Sequence, residues 1–121
     1  MYSPEVLDYF ENPRNAGLVA APDAVVEISN QACGDILKIS LKLKGGRIEE
    51  IRFQAKGCVC SMACGSAITE LAHGKNVMDA RRISRDELIK KVGGLPPASI
   101  HAAHLAMDAL SAALNQAEAN K

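Results

Sequence analysis

The stretch DILKISLKLKGGRIEEIRFQAK, residues 35–56, decides the fold. Leu37, Ile39, Leu41 and Leu43 alternate with Lys38, Ser40, Lys42 and Lys44. A period of two puts the apolar side chains on one face of a strand and the polar ones on the other. Gly45-Gly46 follows, a two-residue hairpin signal, because the favoured turn needs positive φ at both central positions. The return strand carries Ile48, Ile51, Phe53 and Ala55, and Ile48 is out of phase with the other three. A bulge near Glu49 or Glu50 restores the phase. A two-residue turn sets Lys44 against Arg47 and Leu43 against Ile48. The apolar pattern then pairs Leu41 with Ile51, Ile39 with Phe53 and Leu37 with Ala55.

Extended to its open end, that register places Cys58 opposite Gly34, between Cys33 and Asp35. Directly opposed Cβ atoms lie about 4.5–5.5 Å apart, within reach of one metal or cluster. Cys33, Asp35 and Cys58 are therefore expected to meet at one end of a sheet. Gly34 and Gly57 flank them and allow close backbone approach. Beyond Gly57 the period changes. Cys60, Cys64, Ala67, Ile68 and Leu71 fall on one helical face, so Cys58 lies just before a helix N-terminus, a setting that suits an anionic ligand. Thiolates bind iron–sulfur clusters and zinc. Asp35 is a harder oxygen donor that holds iron less firmly, which suits a cluster meant to leave. A free cysteine is also a common core residue. Convergence on Asp35 favours a site for Cys33 and Cys58. The apolar stripe favours packing for Cys60 and Cys64, whose i, i+4 spacing within a helix also resists a disulfide.

The rest of the chain reads as punctuation and cover. Ser3 is a good N-cap and Pro4 a good first helical residue; Asn12-Pro13 ends that helix. Val25, Val26 and Ile28 suggest a short strand. Gly74 suits a helix C-terminus after His73. Ser84 caps a short helix over residues 85–91, with Glu87 at the capping-box position. Gly93-Gly94-Leu95-Pro96-Pro97 is a rigid break. A last helix carries Ile100, Ala103, Met107, Leu110 and Leu114 on its stripe, with a fraying Ala- and Asn-rich tail. His104 is nearer that stripe and reads as packing. His73 reads as a residue at a helix C-terminus. The expected fold is α+β: a three-stranded antiparallel sheet with helices packed around it, one domain over residues 1–121.

At 121 residues, the chain buries roughly two thirds of its unfolded surface and needs no disulfide to make a core. Lys plus Arg equals Asp plus Glu, so the charge balance points to neither nucleic acid nor an acidic membrane surface. No apolar run is long enough to cross a bilayer, and Met1-Tyr2-Ser3-Pro4-Glu5 lacks signal-peptide character. The expected location is cytoplasmic, where thiols stay reduced. Lys38, Lys42 and Lys44 read as the solvated face of the sheet, and Arg81, Arg82 and Arg85 as an exposed basic turn. No Walker loop, dinucleotide fingerprint or nucleophile elbow occurs.

Five segments carry a family resemblance: YSPEVLDYFENPRNAG at 2–17, ACGD at 32–35, KGC at 56–58, TELAHGK at 69–75 and LPPASIHAA at 95–103. In this order they resemble IscU/NifU-type iron–sulfur cluster assembly scaffolds over nearly the whole chain. The resemblance implies the same sheet-and-helix fold. It implies a scaffold, not an enzyme, that takes sulfur from a cysteine desulfurase and iron from an iron donor. Such a scaffold assembles a [2Fe–2S] cluster and passes it to recipient apo-proteins. It maps the ligand positions onto Cys33, Asp35, Cys58 and His101. A homo-oligomer is compatible with these features.

Two departures stand out. The family usually has a third cysteine directly after the histidine of the LPP segment; here that position is Ala102, which has no donor atom. Cys60 or Cys64 would have to turn out of the stripe to replace it. The family's chaperone-binding LPPVK reads Leu95-Pro96-Pro97-Ala98-Ser99 here, which weakens the case for a chaperone partner. The short spacing from Cys58 to Leu95 leaves no room for the insertion of the zinc-associated SufU-like branch. Two alternatives to the scaffold remain: a Zn2+-bound sulfur acceptor that activates a desulfurase, and a regulatory relative that has lost cluster assembly.

Overall fold

The structure, a computed structural model, describes residues 2–30 and 34–119. Its helices are α1 (Pro4–Glu11), α2 (Val59–Ala72), α3 (Val77–Arg81), α4 (Arg85–Lys91) and α5 (Ile100–Ala119), and a short 3-10 turn spans Pro97–Ser99. Its strands are β1 (Ala24–Asn30), β2 (Asp35–Lys44) and β3 (Arg47–Lys56). They form one sheet in the order β1-β2-β3, with both pairs antiparallel.

The hairpin has the register expected from its pattern. Lys44 pairs with Arg47, Leu43 with Ile48, Leu41 with Ile51, Ile39 with Phe53 and Leu37 with Ala55. The register shifts between Lys42 and Leu43, so Glu49 is the extra residue that brings Ile48 back into phase. Gly45 and Gly46 both have positive φ, 60° and 79°. Leu37, Ile39, Leu41, Ile48, Ile51 and Phe53 are all buried. Helices α2 and α5 pack on this face. At Gly65 of α2 an added Cβ would stand 2.9 Å from both Leu37 Cδ1 and Phe53 Cδ2, so only glycine lets the helix sit this close. The other face is partly covered as well. Ser40, which points there, is fully buried and accepts the Val19 N–H at 2.9 Å. Lys38 and Lys42 are half-buried, and only Lys44 is fully in solvent.

Helix α2 is more enclosed than its apolar stripe suggests. Ser61, Ser66 and Thr69 are buried along with Cys60, Cys64 and Ile68. A buried hydroxyl must find a partner, and each of these does. Ser66 Oγ accepts the Arg14 N–H at 2.8 Å, Thr69 Oγ1 donates to the Ser66 carbonyl at 2.7 Å, and Ser61 turns toward Asp35.

Helix α1 starts as its punctuation implies: Ser3 Oγ accepts the Val6 N–H at 2.9 Å, ahead of Pro4. A polar clasp ties it to α2 and α4. Tyr9 donates its hydroxyl to Glu70 Oε1 at 2.5 Å, and Lys91 Nζ reaches the same oxygen at 3.2 Å. The Arg14 guanidinium lies 4.4 Å from the Tyr9 ring centre. The Tyr9 hydroxyl and Lys91 hold the Glu70 carboxyl below the ordinary glutamate range against the opposing effect of burial. A depressed carboxyl stabilises the fold above its unfolded value, and that contribution disappears as pH falls through the folded one. Glu70→Gln should therefore lower stability at neutral pH by about 0.5–1 kcal/mol, the scale of an exposed ion pair. Urea melts of the variant and the parent should converge once pH has fallen below the titration of the folded Glu70 carboxyl; a gap that persists there would show that the clasp does not act through the Glu70 charge.

Three further features differ from the sequence reading. Helix α3 was not anticipated; at five residues it is too short for periodicity to show, and Asn76 caps it by accepting the Asp79 N–H at 2.7 Å. The C-terminal tail does not fray before Ala119: Ala113, Leu114 and Ala117 are buried, and Gln116 Oε1 accepts the Val25 N–H of β1. Small alanines at i, i+4 let α5 lie flat on the sheet, so packing extends the helix. His104 does not pack inside. It is exposed, with Nε2 3.0 Å from Arg85 Nη1. Among the described residues, no helix is long and apolar enough to cross a membrane.

Candidate metal centre

Three elements deliver three donor atoms to one place. Asp35 is the first residue of β2, Cys58 is the N-cap between β3 and α2, and His101 is the second residue of α5. Their ligand atoms all lie within 4.8 Å of one another. His101 Nε2 is 3.1 Å and Cys58 Sγ 3.4 Å from Asp35 Oδ2. Asp35 is buried, while Cys58 and His101 are half-buried, so the cluster opens to solvent on one side.

The end of the hairpin explains the meeting. The ladder runs to Ile36 opposite Lys56 and stops. Gly57 then takes φ +137°, a conformation open to glycine and strained for other residues. A Cβ there would lie 2.0 Å from Asp35 Oδ1. The chain turns over the carboxylate and enters α2 at Cys58. The Cys58 N–H donates to Asp35 Oδ1 at 3.0 Å, and the Ser61 hydroxyl donates to Oδ2 at 2.7 Å. Burial alone would raise the Asp35 carboxyl. The Ser61 hydroxyl, the Cys58 N–H and thiol, and His101 together outweigh it and hold the carboxyl below the ordinary aspartate range.

On the other side of its ring, His101 Nδ1 lies 3.2 Å from the Ala98 carbonyl. A carbonyl only accepts, so Nδ1 carries a proton there and Nε2 is the nitrogen that faces the centre. This arrangement is typical of a metal-binding histidine, whose ring is steered by its second nitrogen. A sulfur, an imidazole nitrogen and a carboxylate oxygen form a mixed donor set that fits zinc or iron.

Cys60 and Cys64 are completely buried in the core under α2, outside this group. Burial raises both thiols; for Cys60 a hydrogen bond from Ser99 opposes it, and Cys64 is pushed up to about 12. Both residues are therefore protonated packing groups at neutral pH. Ala102 is also buried, one residue beyond His101. Cys33 lies outside the described residues. Ser61 belongs to the centre and was not singled out from sequence. Its signal was its place three residues after Cys58, since a helix N-cap and the third helical residue are natural partners.

The NifU-like N-terminal domain model matches residues 1–121. The chain is 44% identical over 114 residues to the iron-sulfur cluster assembly scaffold protein IscU 1 of Archaeoglobus fulgidus, covering 94% of this chain and 74% of that protein. It is 35% identical over 115 residues to the IscU scaffold of Aquifex aeolicus, covering 93% and 73%. Its fold superposes on the crystal structure of a NifU-like N-terminal protein from Brucella abortus with a TM-score of 0.81, at 20% identity, over 98% of this chain and 95% of that one. The match over the full sequence and the shared architecture lead to one conclusion: this chain belongs to the NifU-like N-terminal domain family.

Proposed function

We propose that this chain is a scaffold on which a [2Fe–2S] cluster is assembled and from which it passes to recipient apo-proteins. The observation that carries the reading is the meeting of Cys58, Asp35 and His101 at the open end of the hairpin. Cys33, two residues before Asp35 in sequence, supplies the fourth ligand. The cluster is cargo. A cysteine desulfurase supplies its sulfur, an iron donor its iron, and the protein binds and lends the product without turning it over. A thiolate grips iron firmly and a carboxylate less so, which gives the centre one side from which cargo can leave.

Anaerobic reconstitution with a cysteine desulfurase, cysteine and ferrous iron tests this directly. The expected product has the visible sulfur-to-iron charge-transfer bands of a [2Fe–2S] centre and loses them to an added apo-ferredoxin. No visible bands would sink the reading. A second reading is favoured by the donor set itself. Two sulfurs, one nitrogen and one oxygen also make a tetrahedral zinc site. Stoichiometric zinc in protein as purified, together with a faster desulfurase, would favour a zinc-bound sulfur acceptor instead.

A further inference from the structure

We infer that Ser61 is a positioning residue of the metal centre, holding the Asp35 carboxylate in the orientation that a metal requires. The inference rests on the reading of Asp35, Cys58 and His101 as ligands.

Among the described residues, the four contacts of the Asp35 carboxylate sort into two kinds. His101 Nε2 and Cys58 Sγ approach Oδ2 at 3.1 and 3.4 Å. Both are ligand atoms, and an ion placed among the three would take over these contacts. The other two come from the first turn of α2: the Cys58 N–H on Oδ1 at 3.0 Å and the Ser61 hydroxyl on Oδ2 at 2.7 Å. A carboxylate oxygen has room for more than one partner, so these two bonds are compatible with metal binding. They grip one oxygen each and stop rotation about the Cβ–Cγ bond. Without the Ser61 hydroxyl, only the Cys58 N–H of these two bonds remains, and Oδ2 loses the partner that fixes it independently of the ligand atoms.

The rest of Ser61 serves the same place. Its backbone N–H points at Cys58 Sγ at 3.4 Å, and its Oγ lies 3.3 Å from that sulfur. Ser61 is only 1% exposed. A serine hydroxyl in a helix can be satisfied locally, by a nearby backbone group, or by solvent. This one spends its proton on a carboxylate 26 residues away in sequence. Its geometry therefore serves the ligands.

The test is zinc affinity of the purified metal-free chain, measured by competition with a chromophoric chelator, with melting temperature recorded alongside. Ser61→Ala should melt somewhat earlier than the parent, stay folded, and bind zinc about 10–100-fold more weakly, the usual loss for a residue that orients a ligand. Ser61→Thr keeps the hydroxyl and should recover most of that affinity. With cobalt in place of zinc, Ser61→Ala should retain the thiolate-to-metal band but shift the visible ligand-field bands. Ser61→Ala with parental affinity overturns the inference. So does a Ser61→Thr variant as weak as Ser61→Ala, which would mark the position as one of packing. A parent chain that binds neither zinc nor cobalt removes the metal centre itself, and the inference with it.

Discussion

Gly57→Ala should cost this protein more than any other single methyl group added to its backbone turns. Two penalties coincide at this position. The backbone φ of +137° is strained for a residue with a side chain. The new Cβ would also stand 2.0 Å from Asp35 Oδ1, 2.7 Å from its Cγ and 3.0 Å from its backbone Cα. The carboxylate would have to rotate away, breaking the bond from the Cys58 N–H and the alignment with Ser61. The backbone of Asp35, held in the β2 ladder, limits how far the strand can yield. Backbone strain and overpacking are each worth about 1–3 kcal/mol, so the expected loss exceeds about 3 kcal/mol. Gly74→Ala is the natural control. Gly74 also has positive φ, +83°, but nothing lies within 4 Å of its Cβ position. It should lose only about 1 kcal/mol, the strain alone. Thermal melts of the two variants and the parent decide the matter. Equal losses would mean that the close approach of Gly57 to Asp35 does not constrain the fold. Zinc affinity should fall together with stability in Gly57→Ala and stay parental in Gly74→Ala.

Cys58→Ala should abolish both stoichiometric zinc binding and the visible bands of a reconstituted cluster. Cys58 is the one thiol among the described residues that belongs to the donor group. Its removal takes away one of the two thiolates of the proposed donor set, the soft ligands that make the site attractive to iron or zinc. The same change deletes the sulfur that caps α2 by accepting the Ser61 N–H at 3.4 Å. Loss of an N-cap costs about 0.5–2 kcal/mol, so the variant should melt earlier but remain folded. His101→Ala should weaken binding while leaving the fold almost unchanged, since among the described residues its half-buried ring makes hydrogen bonds with just the Ala98 carbonyl and Asp35. The contrast lies in α2. Cys60→Ala and Cys64→Ala should lower the melting temperature by opening the core, yet still form the cluster. Cluster loss in Cys60→Ala as complete as in Cys58→Ala would place Cys60 among the ligands, in the role vacated at Ala102.

Much of this architecture was legible without coordinates because it is local. Alternation at Leu37, Ile39 and Leu41 sets strand faces. Gly45-Gly46 closes the hairpin, and the phase slip at Ile48 locates its bulge. Ser3 and Ser84 cap helices through side chains three residues from the N–H groups they receive. Each of these signals is a choice of φ, ψ or face made by neighbouring residues. The register then carries that local information across the hairpin, which is why Asp35 and Cys58 could be brought together from sequence.

Tertiary packing decided the rest. His101 stands 66 residues from Asp35 in sequence, and only the docking of α5 on the sheet sets its Nε2 3.1 Å from the carboxylate. His104, one turn later, is turned outward by the same docking. The length of α5 depends on Ala113 and Ala117 finding a surface to cover. Ser61 looked like one polar residue in a helix with an apolar stripe; enclosure of α2 on almost every side turned its hydroxyl into a partner of Asp35. Residue patterns specify which way a side chain leaves its own element. Distances between elements depend on how their surfaces fit. The sequence by itself therefore determined the hairpin and the nearness of Asp35 to Cys58 at its open end, and the fit of α2 and α5 against the sheet completed the centre.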